Sequence, residues 1–339
     1  MYVLGAAGPW TESYGLACRQ GIELARDEIN AGGGVRGRPL EIRFQDDSAS
    51  GEVATRIAQQ FVDDPSVLAI VGHMSSAAML AAAQLYDGRV AAVATTVTTP
   101  ALSGLSPWIF RVISSDSSNG VQLANAAMRM GKQRAAVLYE NDGYGRGLSA
   151  SFRSAFKGRV ISNDPISGDI RNAEPYIAFF KRERPDVVLV AGNDGSARVI
   201  LREAQRQQLV TQFMGGDGWT PVVLDTAAAE GALVGAPFTA DDQRPEARKF
   251  VEAFKARFKV EPDGNAALGY DATITLARAV VAAGPDRKQI RRWLHDLDAR
   301  SAVPGITGLI RFLDSGDPVG KGMVLTRVRR GRLIPEKVQ

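Results

Sequence analysis

The sequence predicts an α/β fold of two doubly wound parallel-sheet lobes, and three observations lead there. Short β-rich apolar runs alternate with longer amphipathic ones along the chain. The short runs are nearly all apolar, as in Val187-Val188-Leu189-Val190-Ala191, the pattern of strands covered by helices on both faces. The alternation restarts after about residue 117, and 339 residues exceed a single ordinary core.

The opening is a βαβ unit. Tyr2–Ala6 reads as a strand, Gly8-Pro9-Trp10-Thr11 as a polar loop and Ser13–Ala31 as a helix. Gly32-Gly33-Gly34-Val35-Arg36-Gly37 stops that helix, and Leu40–Asp46 is the next strand. Helix Glu52–Asp63, strand Val67–Val71, helix Ser76–Tyr86 and strands Val90–Thr95 and Ile109–Val112 complete the first series. The second series runs helix Asn119–Met130, strand Ala135–Tyr139, helix Gly147–Phe156, strand Val160–Ile166, helix Ala173–Arg184, strand Val187–Ala191, helix Ser196–Gln207 and strand Gln212–Met214. A helix-rich tail follows, with Pro245–Phe258, Ala266–Ala283 and Arg287–Leu297.

Composition narrows the function classes. Apolar residues are 45% and charged residues 23%, as in a globular protein, and no uninterrupted apolar run approaches the ~18 residues of a membrane helix. The net charge of +4 comes from 41 basic and 37 acidic residues, mostly interspersed. The densest basic run, Arg327, Arg329, Arg330 and Arg332, reads as a solvated strand edge. Without interleaved aromatics or a docking motif it does not point to nucleic acid. Cys18 stands alone within the first helix and reads as a small buried hydrophobe. The first strand starts directly after Met1, which leaves no room for an export signal or a lipid-anchoring Cys. The chain is then either cytosolic or begins after a removed signal.

Motifs of catalysis fail on context. Gly32–Gly37 matches G-x-G-x-x-G, but the dinucleotide fingerprint must follow a strand and open a helix, whereas these glycines follow a helix. Gly316-Asp317-Pro318-Val319-Gly320-Lys321 is one residue short of a phosphate loop and continues into Gly322 rather than Ser or Thr. His73 and His295 are the only histidines, too few for a metal site or a Ser/His relay, and no G-x-S-x-G elbow occurs. No catalytic residue, metal ligand or cofactor is expected.

The constructive signals lie after strands, where open α/β sheets place ligands. Gly72-His73-Met74-Ser75-Ser76 opens a helix whose free amides suit an anion, though ordinary N-capping explains it equally well. Thr96-Val97-Thr98-Thr99-Pro100 offers hydroxyls to a polar ligand, or is simply a hydroxyl-rich turn. Glu140-Asn141-Asp142-Gly143-Tyr144 sets one aromatic among glycines, where a buried ring usually means packing. Gly215-Gly216-Asp217-Gly218-Trp219 sets an acid where a turn residue is usual. Four such segments, split between the lobes, favour a ligand cleft.

Residues 8–47, 68–76, 93–100, 138–148 and 212–218 carry a resemblance that covers essentially the whole chain. It resembles the branched-chain amino acid (Leu/Ile/Val) binding family, solute-binding proteins of ABC importers with a type 1 periplasmic-binding fold. The resemblance implies two lobes joined by a three-crossing hinge, near residues 117, 239 and 319. The lobes would then be 1–117 with 240–318, which docks the ligand first, and 118–239 with 319–339, which closes over it.

It further implies a ligand held in the interlobe cleft and passed to a membrane permease, a monomer, and an extracytoplasmic location after removal of the signal. Ser76 matches the carboxylate-binding Ser, with Ser75 beside it. Thr96 and Thr98 match backbone and hydroxyl contacts on the ligand's carboxylate and ammonium. Tyr14 and Tyr144 match aromatics that face the ligand, Asp217 the acid that pairs with the ammonium, and Trp10 a residue lining the side-chain pocket. Some relatives carry a disulfide near the segments that hold Ala49 and Ser75 here, and both half-cystines are absent.

Ala191-Gly192-Asn193-Asp194 has no aromatic where amino acid binders often place one. Members of the family also bind amides, urea or aromatic acids, but Ser76 together with Asp217 favours a zwitterion. Other classes remain in view. A ligand-sensing regulatory module of the same fold would need an added signalling segment, and a dehydrogenase is disfavoured by the misplaced glycines and scarce histidines.

Overall fold

The computed structural model describes residues 1–336. The elements in chain order are β1 (Tyr2–Gly8), α1 (Ser13–Ala31), β2 (Leu40–Asp46), α2 (Gly51–Asp63), β3 (Val67–Gly72), α3 (Ser76–Tyr86), β4 (Ala92–Ala94) and β5 (Ile109–Arg111). Next come α4 (Asp116–Arg129), β6 (Arg134–Glu140), α5 (Gly143–Ala155), β7 (Arg159–Ile166), α6 (Glu174–Glu183), β8 (Val187–Ala191), α7 (Asp194–Arg206), β9 (Gln212–Gly215), α8 (Thr226–Ala229) and β10 (Leu233–Ala236). The chain closes with α9 (Pro245–Phe258), α10 (Gly264–Ala283), α11 (Arg287–His295), β11 (Val324–Arg329) and β12 (Arg332–Pro335). They fall into two compact units, Met1–Ser115 with Asp242–Lys321, and Asp116–Asp241 with Gly322–Gln339.

The first unit has a five-stranded parallel sheet in the order β2-β1-β3-β4-β5. Alternate residues of β1 serve opposite faces: Tyr2, Leu4 and Ala6 join the core under α1, α10 and α11, while Val3 and Ala7 join the core under α2 and α3. Two-sided burial is what made this strand continuously apolar in sequence. Helix α1 lies close on α10 because glycine permits it. A Cβ on Gly21 would stand 1.9 Å from the Ala266 carbonyl oxygen, and one on Gly269 would stand 2.3 Å from that of Cys18. By length and composition α10 could cross a membrane, but it is largely buried as the central core helix of this unit.

Cys18 is fully buried, and its thiol donates to Thr95 Oγ1 at 3.4 Å. Burial pushes the thiol up to about 12, so it packs and does not react. The glycines after α1 act as stop and turn: Gly32 is the C-cap, and Gly33, Gly34 and Gly37 have φ of 99°, 76° and 74°.

The second unit's sheet has the order β12-β11-β10-β9-β8-β6-β7. From β7 to β10 every pairing is parallel, whereas β11 and β12 return antiparallel. Val187, Leu189 and Ala191 of β8 face the core under α4 and α5, and Val188 and Val190 face the core under α6 and α7.

The parallel sheet thus ends in two antiparallel strands, and this corrects the expectation of Arg327 and Arg329 on a solvated edge. Strand β11 lies between β10 and β12. Arg327 is engaged rather than free: its guanidinium donates to Glu336 at 2.7 and 2.9 Å and to the Gly231 carbonyl at 2.9 Å. The short β12 supplies the edge instead.

Candidate functional site

In the first unit strand order reverses between β1 and β3, since β2 lies on one side of β1 and β3, β4 and β5 follow on the other. Segments leaving the C-terminal ends of β1, β3 and β4 therefore emerge side by side, at the point where open sheets of this kind bind ligands. Trp10 and Tyr14 follow β1, Ser75 and Ser76 follow β3, and Thr96 and Thr98 follow β4.

Ser75 is the N-cap of α3, its Oγ accepting from Ala78 N at 3.2 Å. The same hydroxyl donates to the Ala49 carbonyl at 3.5 Å, joining the start of α3 to the turn after β2. Ser76, 7% exposed, is the first helical residue and lies among the unsatisfied amides of that helix start. Behind them His73 is wholly buried. Its Nδ1 is 2.7 Å from Asp47 Oδ2 and its Nε2 is 2.8 Å from the Tyr86 hydroxyl. Those bonds fix the segment leading to Ser75 from both flanks. The sequence flagged His73 only as an improbable metal ligand and missed this role.

Thr96 and Thr98 divide the work of their turn. Thr96 Oγ1 donates to the Met74 carbonyl at 2.6 Å, tying the β4 turn to the β3 turn. Thr98 Oγ1 is buried and has no hydrogen-bond partner among the described residues. A buried hydroxyl left unbonded costs free energy, so Thr98 is the member of the pair available to a ligand. Trp10 packs edge-on against Phe44, with ring centres 5.5 Å apart and planes at 83°. Its Nε1 is likewise buried and unbonded among the described residues. Tyr14, in the first turn of α1, packs partly buried against the same core.

The second unit repeats the plan. Its strand order reverses between β6 and β8, and Tyr144 follows β6, Asn193 follows β8 and Asp217 follows β9. Glu140, the last residue of β6, spans the reversal point. Its Oε1 accepts from Asn193 N at 2.9 Å and Ser196 Oγ at 2.7 Å, and its Oε2 accepts from Asn193 Nδ2 at 3.0 Å. Burial raises the Glu140 carboxyl above its ordinary value despite those bonds. Sequence inspection had passed over Glu140, since an acid at a strand end resembles any polar loop residue.

Asp217 is 5% exposed, and burial pushes its carboxyl up to about 7. The Tyr144 hydroxyl accepts from Gly218 N at 3.2 Å, and its proximity offsets part of the rise that burial causes at Asp217. Asp217 Oδ1 has no partner among the described residues. The Tyr144 hydroxyl is itself raised well above its ordinary value, by burial first and then by the Asp217 and Asp116 carboxylates.

Comparison with known proteins decides the family. The periplasmic binding protein family matches the chain over residues 3–332.

The chain belongs to the periplasmic binding protein family.

Its relatives include the Leu/Ile/Val-binding protein of Escherichia coli K12, 29% identical over 94% of this chain and 87% of that protein. Among solved structures, an ABC transporter substrate-binding protein of Desulfitobacterium hafniense in complex with Leu is 29% identical, with a TM-score of 0.86 over 99% of both chains. A leucine binding protein of Thermotoga maritima is 26% identical, with a TM-score of 0.91 over 99% of this chain and 98% of that one. The fold is the type 1 periplasmic-binding fold, with a parallel α/β sheet in each unit.

The glycines around Asp217 make room for the protein's own side chains: a Cβ on Gly215 would stand 2.2 Å from the Trp219 ring, and one on Gly216 would stand 2.7 Å from the Tyr144 hydroxyl. A Cβ on Gly218 would meet Asn193 Oδ1 at 2.9 Å. Trp219 is fully buried in the second unit's own core.

Proposed function

We propose that this protein is the extracytoplasmic solute-binding component of an ABC importer, and that its solute is an α-amino acid with an apolar side chain. Asp217 carries the reading. A carboxylate this deeply buried, with one oxygen unbonded among the described residues, calls for a positive partner, because an unpaired buried charge is strongly disfavoured. Among the described residues Asp217 makes no ion pair, and its neighbour Tyr144 brings no cation. The ammonium of an amino acid would supply one.

The first unit offers the complementary chemistry. The helix start at Ser76 suits the ligand's carboxylate through its amides and dipole, and the Thr98 hydroxyl adds a polar contact. In this reading Ser75 and Thr96 serve mainly by holding their turns, Tyr14, Trp10 and Tyr144 surround the ligand, and a membrane permease receives it. The printed names of the relatives, Leu/Ile/Val-binding and leucine binding, support the apolar amino acid.

A thermal-shift screen with leucine, isoleucine, valine, their 2-keto analogues and benzoate tests the proposal. A bound solute at a hundredfold its Kd should add ~2.7 kcal/mol of stability. Stabilisation by the amino acids and not by the amine-free acids is expected. Stabilisation by benzoate or the keto acids alone would overturn the amino acid assignment.

A further inference from the structure

Arg111 closes β5, and its side chain is 1% exposed, with no part in the contacts assigned above. Its guanidinium reaches in two directions. Nη1 donates to the Val97 carbonyl at 3.2 Å and to the Thr99 carbonyl at 2.9 Å, the two carbonyls that flank Thr98. Nε donates to Asp317 Oδ1 at 2.7 Å, and Nη2 donates to Ser103 Oγ at 2.7 Å. Asp317 also accepts from Ser103 Oγ at 3.2 Å and from Ser315 Oγ at 2.9 Å. The turn carrying Asp317 is locked to β5 by Arg111 N donating to the Gly316 carbonyl at 3.0 Å. Gly316 has φ of 78°, and a Cβ there would stand 2.1 Å from the Ile109 carbonyl oxygen.

We infer that Arg111, held by Asp317, is a positioning residue for solute binding that fixes the backbone on both sides of Thr98 so that the Thr98 hydroxyl is presented to the ligand. The inference rests on the solute-binding reading above. Its physical basis is the planar guanidinium, whose Nη1 donates to two carbonyls two residues apart while its Nε edge is fixed by a carboxylate. A turn held only by its own hydroxyls could rotate Thr98 inward to bond its unpartnered Oγ1. Clamping both neighbouring carbonyls prevents that relaxation and keeps the hydroxyl unsatisfied until a ligand arrives. Lysine at this position would keep the charge but lose that planar geometry.

The test is a double-mutant cycle between Arg111→Lys and Thr98→Val, read by leucine calorimetry and by the thermal midpoint. Arg111→Lys is expected to weaken leucine about tenfold in the wild-type background, the size of a lost charged hydrogen bond at its low end. In the Thr98→Val background it should add less than about twofold, while lowering the midpoint by the same amount in both. Asp317→Asn, which keeps the shape of the carboxylate, should show the same pattern in smaller measure and serves if Arg111→Lys folds poorly. An equal loss of affinity in both backgrounds, or a lowered midpoint with unchanged affinity, would overturn the positioning role. Hydrogen exchange over residues 95–101 of the ligand-free protein provides an arm independent of the solute. Arg111→Lys should speed exchange there at least tenfold, and unchanged exchange counts against the clamp even if leucine proves not to be the solute.

Discussion

The Tyr144 hydroxyl accepts the amide of Gly218, the residue next to Asp217, at 3.2 Å. A ring from the start of α5 thereby braces the turn that follows β9, and Gly216 and Gly218 leave room for that ring. Asp217 is buried in that turn, and its Oδ1 has no partner among the described residues.

Burial raises Asp217 to about 7, which sets a pH dependence. The ligand-free folded protein holds the proton more tightly than the unfolded chain, so this group's contribution to stability falls as pH rises from the ordinary carboxylate range toward 7 and is level above it. Leucine affinity should run the opposite way, because the ammonium needs the ionised acid. Calorimetry between pH 5 and 8 should show affinity rising roughly tenfold per pH unit up to about 7 and then levelling. An affinity independent of pH across that range would contradict the pairing.

Ser76→Ala should weaken leucine by about 1.5–3 kcal/mol, the range for a hydrogen bond to a charged group. Because Ser75 and not Ser76 caps α3, the substitution should leave the thermal midpoint nearly unchanged. Unaltered affinity in Ser76→Ala would remove this residue from the site.

Glu140→Ala removes the acceptor of three hydrogen bonds and leaves Asn193 N and Nδ2 without that acceptor, while the Ser196 hydroxyl keeps only the Asn193 carbonyl at 3.1 Å. Denaturant unfolding should report a loss of roughly 2–4 kcal/mol, and Glu140→Gln, which keeps one acceptor oxygen, should lose less. Equal losses in the two variants would show that packing rather than hydrogen bonding matters there.

Gly21→Ala should destabilise the first unit, because the new methyl would collide with the Ala266 carbonyl across the α1–α10 contact. Chemical denaturation should register at least the ~1–3 kcal/mol typical of overpacking. A variant as stable as the wild type would mean that the two helices separate freely.

The fold was legible because two-sided burial writes itself into sequence as apolar strands, and capping residues mark helix starts. The limits of β2, α1, α3, β8 and α9 match the expected ones residue for residue. Strands β10 and β12 were missed, and β11 was read only as a solvated edge. They are short, two of them run antiparallel at the end of the chain, and the alternating pattern of β11 with arginines at Arg327 and Arg329 looks like surface.

Chain position after a strand singled out four segments, and the family resemblance picked Ser76, Thr98, Tyr144 and Asp217 within them. What sequence does not carry is which hydroxyl is already engaged. Ser75 and Thr96 bond their own chain, whereas the Thr98 hydroxyl has no partner among the described residues. The supporting residues Arg111, Glu140 and His73 act through contacts at sequence separations of 8 to 206, 53 to 56 and 13 to 26, which no helix or strand period marks.

The central claim is that Asp217 recognises an ammonium. Its most direct measurement is the affinity of the wild type and of Asp217→Asn for leucine and for the 2-keto acid of the same carbon skeleton. Loss of a buried charge pair should weaken leucine by about 2–5 kcal/mol while leaving the keto acid's affinity essentially as it was. Equal changes for the two ligands, or none for either, would contradict the account and return Asp217 to the role of a turn residue.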